Sequence, residues 1–263
     1  MDVLTPRTLD GALRLKAECP DARPIQGGTD LMVEMNFDRT RPTAFLNLNE
    51  VAELRGWSRE NGALRLGAGL TYADAMQAPL SELLPALAEA SRTVGSPQIR
   101  NRGTIGGNLG TCSPAGDSLP PLVVEGAEIE VASVRGTRLV PIADFMVGPK
   151  RNSLSPDELI TAVLVSPSGA RQTFMKVGPR NAMVIAVCSL ALSADRERGV
   201  IRAAFGSAGP VVGLVTAPLE ERGSFPEQVA AAARPIDDVR GTAAYRRHAL
   251  RVLAARALDR CLS

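Results

Sequence analysis

Two short stretches place small and polar residues where they could do chemistry, IQGGTDLM at 25–32 and TIGGNLG at 104–110. Each sets a glycine pair, Gly27-Gly28 or Gly106-Gly107, directly before a small polar residue, Thr29 or Asn108. Paired glycines let a backbone take positive φ and let a bulky anion come close to several amide N–H groups at once. A phosphate or pyrophosphate suits such a cradle, more so where a helix starts just beyond, as the pattern after Asp30 suggests. Thr111, Ser113 and Asp117 follow the second pair. An aspartate beside a bound nucleotide accepts hydrogen bonds from sugar hydroxyls. Neither stretch fits G-x-G-x-x-G or G-x-x-x-x-G-K-[ST], so any nucleotide here is held by a different arrangement. The competing reading of each pair is an ordinary turn.

The rest of the composition narrows the chemistry by exclusion. His248 is the one histidine in 263 residues, so a Ser-His-Asp triad or a multi-histidine metal site has almost nothing to build on. Cys19, Cys112, Cys188 and Cys261 lie far apart, without the spacing of a zinc site or an iron–sulfur cluster, and read as reduced thiols. No catalytic side chain and no metal ligand is assigned. A net charge of +2 offers no general field for nucleic acid or an anionic membrane, and 3% aromatics are too few for stacking on single strands. The N-terminus lacks the pattern of a secretory signal, and no stretch approaches a bilayer span, so a cytoplasmic location is expected.

The elements that must position the glycine stretches follow from periodicity. Residues 8–18 suit a short helix, and 22–35 a strand running into a glycine turn and a helix start. Strands are expected at 43–48 and 64–72, and a single helix over 81–95. A hairpin is expected at Arg135-Gly136, then a strand at 157–165. VSPSGARQ (165–172) reads as a linker. Beyond it come consecutive strands, including AMVIAVCSLAL, with a hairpin near Asp195–Gly199. In the closing helix Tyr245, Ala249, Val252, Leu253, Ala257 and Cys261 form the apolar stripe, and Arg246-Arg247-His248 reads as its wet face. Strands and helices without a regular β-α-β beat argue for α+β in two parts, near 1–165 and 170–263.

GGTDL, then NRGTIGGNLGTCSPAGDSLPPL, FMKVGPRNAMVIAVCSLAL and GTAAYRRHALRVLAARAL occur in that order. In this the chain resembles, over nearly its whole length, the FAD-binding medium subunits of the molybdenum hydroxylases, the xanthine dehydrogenase and carbon monoxide dehydrogenase group. The resemblance implies an α+β fold: a two-subdomain FAD-binding domain of the molybdenum hydroxylase/vanillyl-alcohol-oxidase type over 1–166, divided at about 55–56. A smaller α+β C-terminal domain over 170–263 would follow. It implies that Gln26, Gly27, Gly28, Thr29 and Asp30, with Thr104, Ile105, Gly106, Gly107 and Asn108, wrap the FAD pyrophosphate. Thr111 and Asp117 would meet ribityl or ribose hydroxyls, Ile160 the flavin ring edge through its backbone, and Lys176 the flavin carbonyl side. Val94 stands where some relatives stack an aromatic ring on the flavin, and Ala182 where others shield it. Val94 would leave one flavin face more open, and a small residue at Ala182 would leave room for a second substrate such as a nicotinamide ring.

The function so implied is electron transfer through non-covalently bound FAD. A large partner subunit would carry a molybdenum–pterin cofactor and a small one two [2Fe–2S] clusters, within a heterotrimer or a pair of them. Electrons would leave to NAD, oxygen or a quinone. The rival readings are a stand-alone FAD-dependent oxidoreductase, which would need its own proton donor, and a flavin-free scaffold subunit. Neither nucleic acid nor membrane is an expected partner.

Overall fold

The computed structural model describes residues 2–263. The chain opens with β1 (Asp2–Leu4), α1 (Leu9–Glu18), β2 (Arg23–Ile25), α2 (Leu31–Asn36) and β3 (Ala44–Asn47). The three strands form a parallel sheet in the order β1-β3-β2. Thr8 caps α1 by accepting from the Gly11 N–H, and Ala12 on its inner face packs with Ala22, Leu46, Val51 and Leu54. Lys16 on the same helix is buried, its ammonium donating to the carbonyls of Pro20 (2.6 Å) and Ala22 (2.9 Å). It thereby ties down the turn into β2.

A second unit runs from β4 (Trp57–Glu60) and β5 (Ala63–Gly67) through a run of short helices. These are α3 (Tyr72–Ala75), α4 (Leu80–Leu83), α5 (Pro85–Arg92), α6 (Pro97–Arg102), α7 (Ile105–Thr111) and α8 (Leu119–Val124). The chain continues as β6 (Glu128–Ser133), β7 (Gly136–Pro141), α9 (Ile142–Phe145), β8 (Met146–Gly148), β9 (Arg151–Asn152) and β10 (Leu159–Val165). β4-β5-β10-β6-β7 make an antiparallel five-stranded sheet, while β8 and β9 pair separately. The single helix expected over 81–95 is two helices. Pro85 disfavours helical backbone at the residue before it, and Leu84 sits at φ −132°, ψ 65°.

Residues 171–218 form an antiparallel meander, β11 (Arg171–Val177), β12 (Cys188–Asp195), β13 (Val200–Gly206) and β14 (Gly213–Pro218). It is covered by α10 (Phe225–Ala232) and α11 (Ala243–Leu262). The strand expected to begin at Ala182 begins instead at Cys188; the preceding apolar residues are loop. On α11 the buried face is Arg246, Ala249, Leu250, Leu253, Ala254, Ala257, Leu258 and Cys261. Two expectations are corrected here: Tyr245 is half exposed, and Arg246 is 1% exposed rather than on the wet face. Its guanidinium donates to the carbonyls of Val187 (2.8 Å) and Ser207 (2.5 Å) and pairs with Asp238. That satisfied set of partners makes the burial tolerable. His248 is exposed, its ring beside Arg251.

The largest apolar core does not stop at the end of β10. Phe174, Ala191, Ala204 and Val212 belong to the same cluster as Leu87, Ala90, Leu119 and Val123, because α5 and α8 pack on β11–β13. Among the described residues no helix is long and apolar enough to cross a membrane. Cys112, Cys188 and Cys261 are buried, and burial pushes the thiols up, Cys188 to about 12 and Cys261 to about 11. Thiolate is the reactive form, so an aromatic disulfide reagent should titrate Cys19 alone in the native protein and all four cysteines after unfolding.

Candidate functional site

The loop between β2 and α2 carries the first glycine stretch. Gly28 takes φ +70°, a conformation open to glycine, and its carbonyl accepts the Met32 N–H to start α2. Gly27 lies so close to the Arg102 carbonyl that a Cβ there has no space. The Gln26 carbonyl is held from behind by Asn49 Nδ2 (3.0 Å) and Arg102 Nη2 (3.3 Å). Among the described residues no acceptor takes the N–H groups of Gly27, Gly28, Thr29 or Asp30. Four successive donors without a protein acceptor therefore belong to residues that line one cleft.

The second stretch is built differently. It is the helix α7, although two glycines in its first turn work against helix propensity. Its leading donors are engaged: Ile105 N–H with the Leu70 carbonyl (2.9 Å), Gly106 N–H with Ala68 (2.8 Å) and Gly107 N–H with Thr104 Oγ1 (3.0 Å). What the glycines permit is close approach. A Cβ at Gly106 would lie 2.6 Å from both the Cβ and the carbonyl oxygen of Ala68. Gly106→Ala should therefore cost about 1–3 kcal/mol of stability, measured by urea unfolding. At Gly107 a Cβ would meet only Thr104 Oγ1, at 3.0 Å, so this position is a bare wall of the cleft. The two stretches are linked by Thr111 Oγ1 donating to Asp30 Oδ2 (3.4 Å). Ser118 Oγ donates to Asn108 Oδ1 (2.6 Å), which fixes the orientation of that amide on the wall.

Farther along the cleft lies Asp117, 8% exposed. Burial pushes its carboxyl up to about 6, against the opposing pull of Lys176. Its Oδ2 accepts from Lys176 Nζ at 2.6 Å, while Oδ1 is buried without a partner among the described residues. Tyr72, Val94 and Ile99 line the same region, and Met183, Val184 and Ile185 form a lip contributed by the chain beyond β11. Ala182 is exposed beside that lip, its carbonyl held by Arg180 Nε at 3.0 Å. Ile160 lies on the wall, its Cδ1 next to the bare face of Gly110.

The cleft measures about 800 Å³, at the upper end of the range for small-molecule and cofactor pockets. Gln26, Gly27, Gly28, Thr29, Asp30, Thr104, Gly106, Gly107, Asn108, Thr111, Asp117 and Ile160 all line it. Ile105 and Lys176 stand behind the wall: the Ile105 side chain is in the core, and the Lys176 ammonium is bonded within the protein. Sequence reasoning missed Lys16 and Tyr72, which also line the cleft, and the lip at 183–185. The lip did leave a signal, since the apolar run AMVIAV extends upstream of the buried strand that starts at Cys188. Among the described residues no three His, Cys, Asp or Glu side chains gather as a metal site.

Residues 1–167 match the family model described as the FAD binding domain in molybdopterin dehydrogenase. The chain belongs to this family. A putative xanthine dehydrogenase FAD-binding subunit of Escherichia coli K12 is 35% identical over 211 residues, 77% of this chain and 72% of that one. The nicotine 6-hydroxylase medium subunit of Paenarthrobacter nicotinovorans is 31% identical over 97% of this chain and 94% of its own. The fold is that of the carbon monoxide dehydrogenase FAD subunit. A chain of the Cu,Mo-CO dehydrogenase superposes with a TM-score of 0.93 at 26% identity, covering 99% of this chain and 97% of that one. The chain is thus an FAD-binding subunit of the molybdenum hydroxylase type and an oxidoreductase component. Its cleft fits that cofactor: open amide donors suit a pyrophosphate, and the unpartnered Asp117 Oδ1 suits a hydroxyl donor.

Proposed function

We propose that this chain is the flavin station of a three-subunit molybdenum hydroxylase, joined to a large molybdenum–pterin subunit and a small subunit with [2Fe–2S] clusters. It would take electrons from those clusters and deliver them to NAD, oxygen or a quinone, the assembly being one heterotrimer or a pair. The observation that carries this reading is a single cleft holding four open amide donors and a buried carboxylate oxygen without a donor. Those are the complements of a pyrophosphate and of sugar hydroxyls. Bound FAD supplies the one- and two-electron chemistry.

The roles of this chain's residues are to bind and to orient. Gly27, Gly28, Thr29 and Asp30 present N–H groups to the pyrophosphate, and the bare face of Gly107, with Asn108, lets it approach α7, which Gly106 seats tightly on Ala68. Asp117 accepts from a ribityl or ribose hydroxyl, with Thr111 nearby. Ile160 bounds the ring edge, and Val94 with the 183–185 lip excludes water from the ring. No side chain here needs to act as acid or base. In this reading the [2Fe–2S] clusters are carried by the small partner subunit.

The test is purification without added cofactor, followed by recovery of the native complex from its host. Absorption bands near ~370 and ~450 nm, released FAD and two co-purifying subunits are expected. A colourless chain that takes up no FAD would overturn the reading, and a yellow chain that comes alone would remove the partners from it.

A further inference from the structure

Lys176 stands behind the cleft wall, 7% exposed at its side chain, with three acceptors for its three N–H donors. They are Asp117 Oδ2 (2.6 Å), the Thr93 carbonyl (2.9 Å) and the Val184 carbonyl (3.1 Å). Each acceptor comes from a different part of the wall: the turn after α5 that carries Val94, the loop before α8, and the lip beyond β11. An ammonium has three donors and no acceptor, so all three are engaged within the protein. We propose that Lys176 is a positioning residue: it clamps the three wall segments around the flavin end and acts on FAD through Asp117 and the lip. This rests on the proposed reading of the cleft as the FAD site.

The lip needs such a clamp. Met183 and Ile185 are 56% and 66% exposed, and Met183 takes φ +50°, so little apolar burial holds the loop in place. Arg180 bonds the carbonyls of Ala182 and Met183 from outside, and Lys176 bonds Val184 from within. Asp117 needs it as well. Burial raises its carboxyl to about 6, and the Lys176 charge is the largest influence opposing that rise. The other titratable group facing Asp117 is the Tyr72 phenol on α3, which burial and the Asp117 charge hold neutral. The ionised carboxylate is the form in which Oδ2 holds Lys176 while Oδ1 can still accept. FAD affinity should therefore be constant above pH ~6 and fall below it, and without Lys176 that midpoint should move up.

The experiment measures the FAD dissociation constant against pH for the full chain and for Lys176→Met, Asp117→Asn and the double variant. The expected result is a midpoint near pH 6 in the unaltered chain, a higher midpoint in Lys176→Met and none in Asp117→Asn. At pH 8 each single change should weaken FAD about tenfold, and the double variant should be little worse than the weaker single, since both break one linked unit. Losses that multiply in the double variant, or an unmoved midpoint in Lys176→Met, would overturn the inference and leave the FAD reading standing. Failure of the unaltered chain to bind FAD would remove both. Should Lys176→Met not fold, the loss of the pH midpoint in Asp117→Asn decides the Asp117 half. Hydrogen exchange of residues 183–186, slowed when FAD binds the unaltered chain, decides the lip half; unchanged exchange counts against it.

Discussion

Replacing Gly107 by valine is expected to leave a folded, colourless protein. The position has no left-handed backbone, and a Cβ there meets only Thr104 Oγ1, at 3.0 Å, so a small shift of that cap is the one adjustment a Cβ asks of the chain. Valine is also a better helix former than glycine, which offsets the crowding at the cap. The branched side chain would instead occupy the wall along which the cofactor's anion approaches α7. FAD affinity should fall at least about a hundredfold, some 2.7 kcal/mol, while the thermal midpoint stays within a few degrees. The measurement is flavin content after purification and titration with added FAD, alongside a thermal melt. Normal flavin content in a folded variant would refute the assignment of this wall. Gly106→Ala, one residue earlier on the same helix, should behave oppositely, losing stability because its obstruction is the protein's own Ala68.

The largest stability loss is expected from Arg246→Met. The change keeps an unbranched stem but strips the donors from the carbonyls of Val187 and Ser207 and from Asp238. Removing one member of a buried charged set costs about 3–5 kcal/mol, because the partners remain buried and unpaired. Asp238 is partly solvated, which places the expectation near the lower figure. In a chain of this size that is a fall of roughly 6 °C in thermal midpoint. A lysine there would restore the charge but not the fork that reaches two carbonyls and a carboxylate together, so Arg246→Lys should recover only part of it. Urea unfolding of the three proteins gives the comparison directly.

These two positions also mark where the amino-acid sequence is legible and where it is not. The strands near 43–48 and 157–165, the hairpins at Arg135-Gly136 and before Gly199, and α1 and α11 follow from periodicity and turn residues, which act locally. The glycine pairs were readable as a place where backbone must come close to something. Periodicity did not reveal that Gly106 is close to Ala68 and Gly107 to open cleft, because that difference is made by β5 and the loop after it, far along the chain. Arg246 was misread for a similar reason. Its neighbours Arg247 and His248 are wet, and the carbonyls that make its burial favourable come from 39 and 59 residues away. The break at Leu84 was available locally, since Pro85 announces it. The fold of the family, with the likeness to the carbon monoxide dehydrogenase FAD subunit, came from whole motifs in order rather than from any one residue.

The apolar cluster that runs from α5 and α8 into β11–β13 bears on how such chains could be recombined. The glycine- and serine-containing connection at 166–170 invites a crossover when parts of two relatives are spliced. Yet Phe174, Ala191, Ala204 and Val212 share one apolar cluster with Leu87, Ala90, Leu119 and Val123 on the other side of that connection. A chimera joined at 166–170 inherits the two halves of one mould from different parents. Compatible hybrids should be those in which α5 and α8 travel together with the meander they cover, so the practical module of this molecule is discontinuous along its sequence.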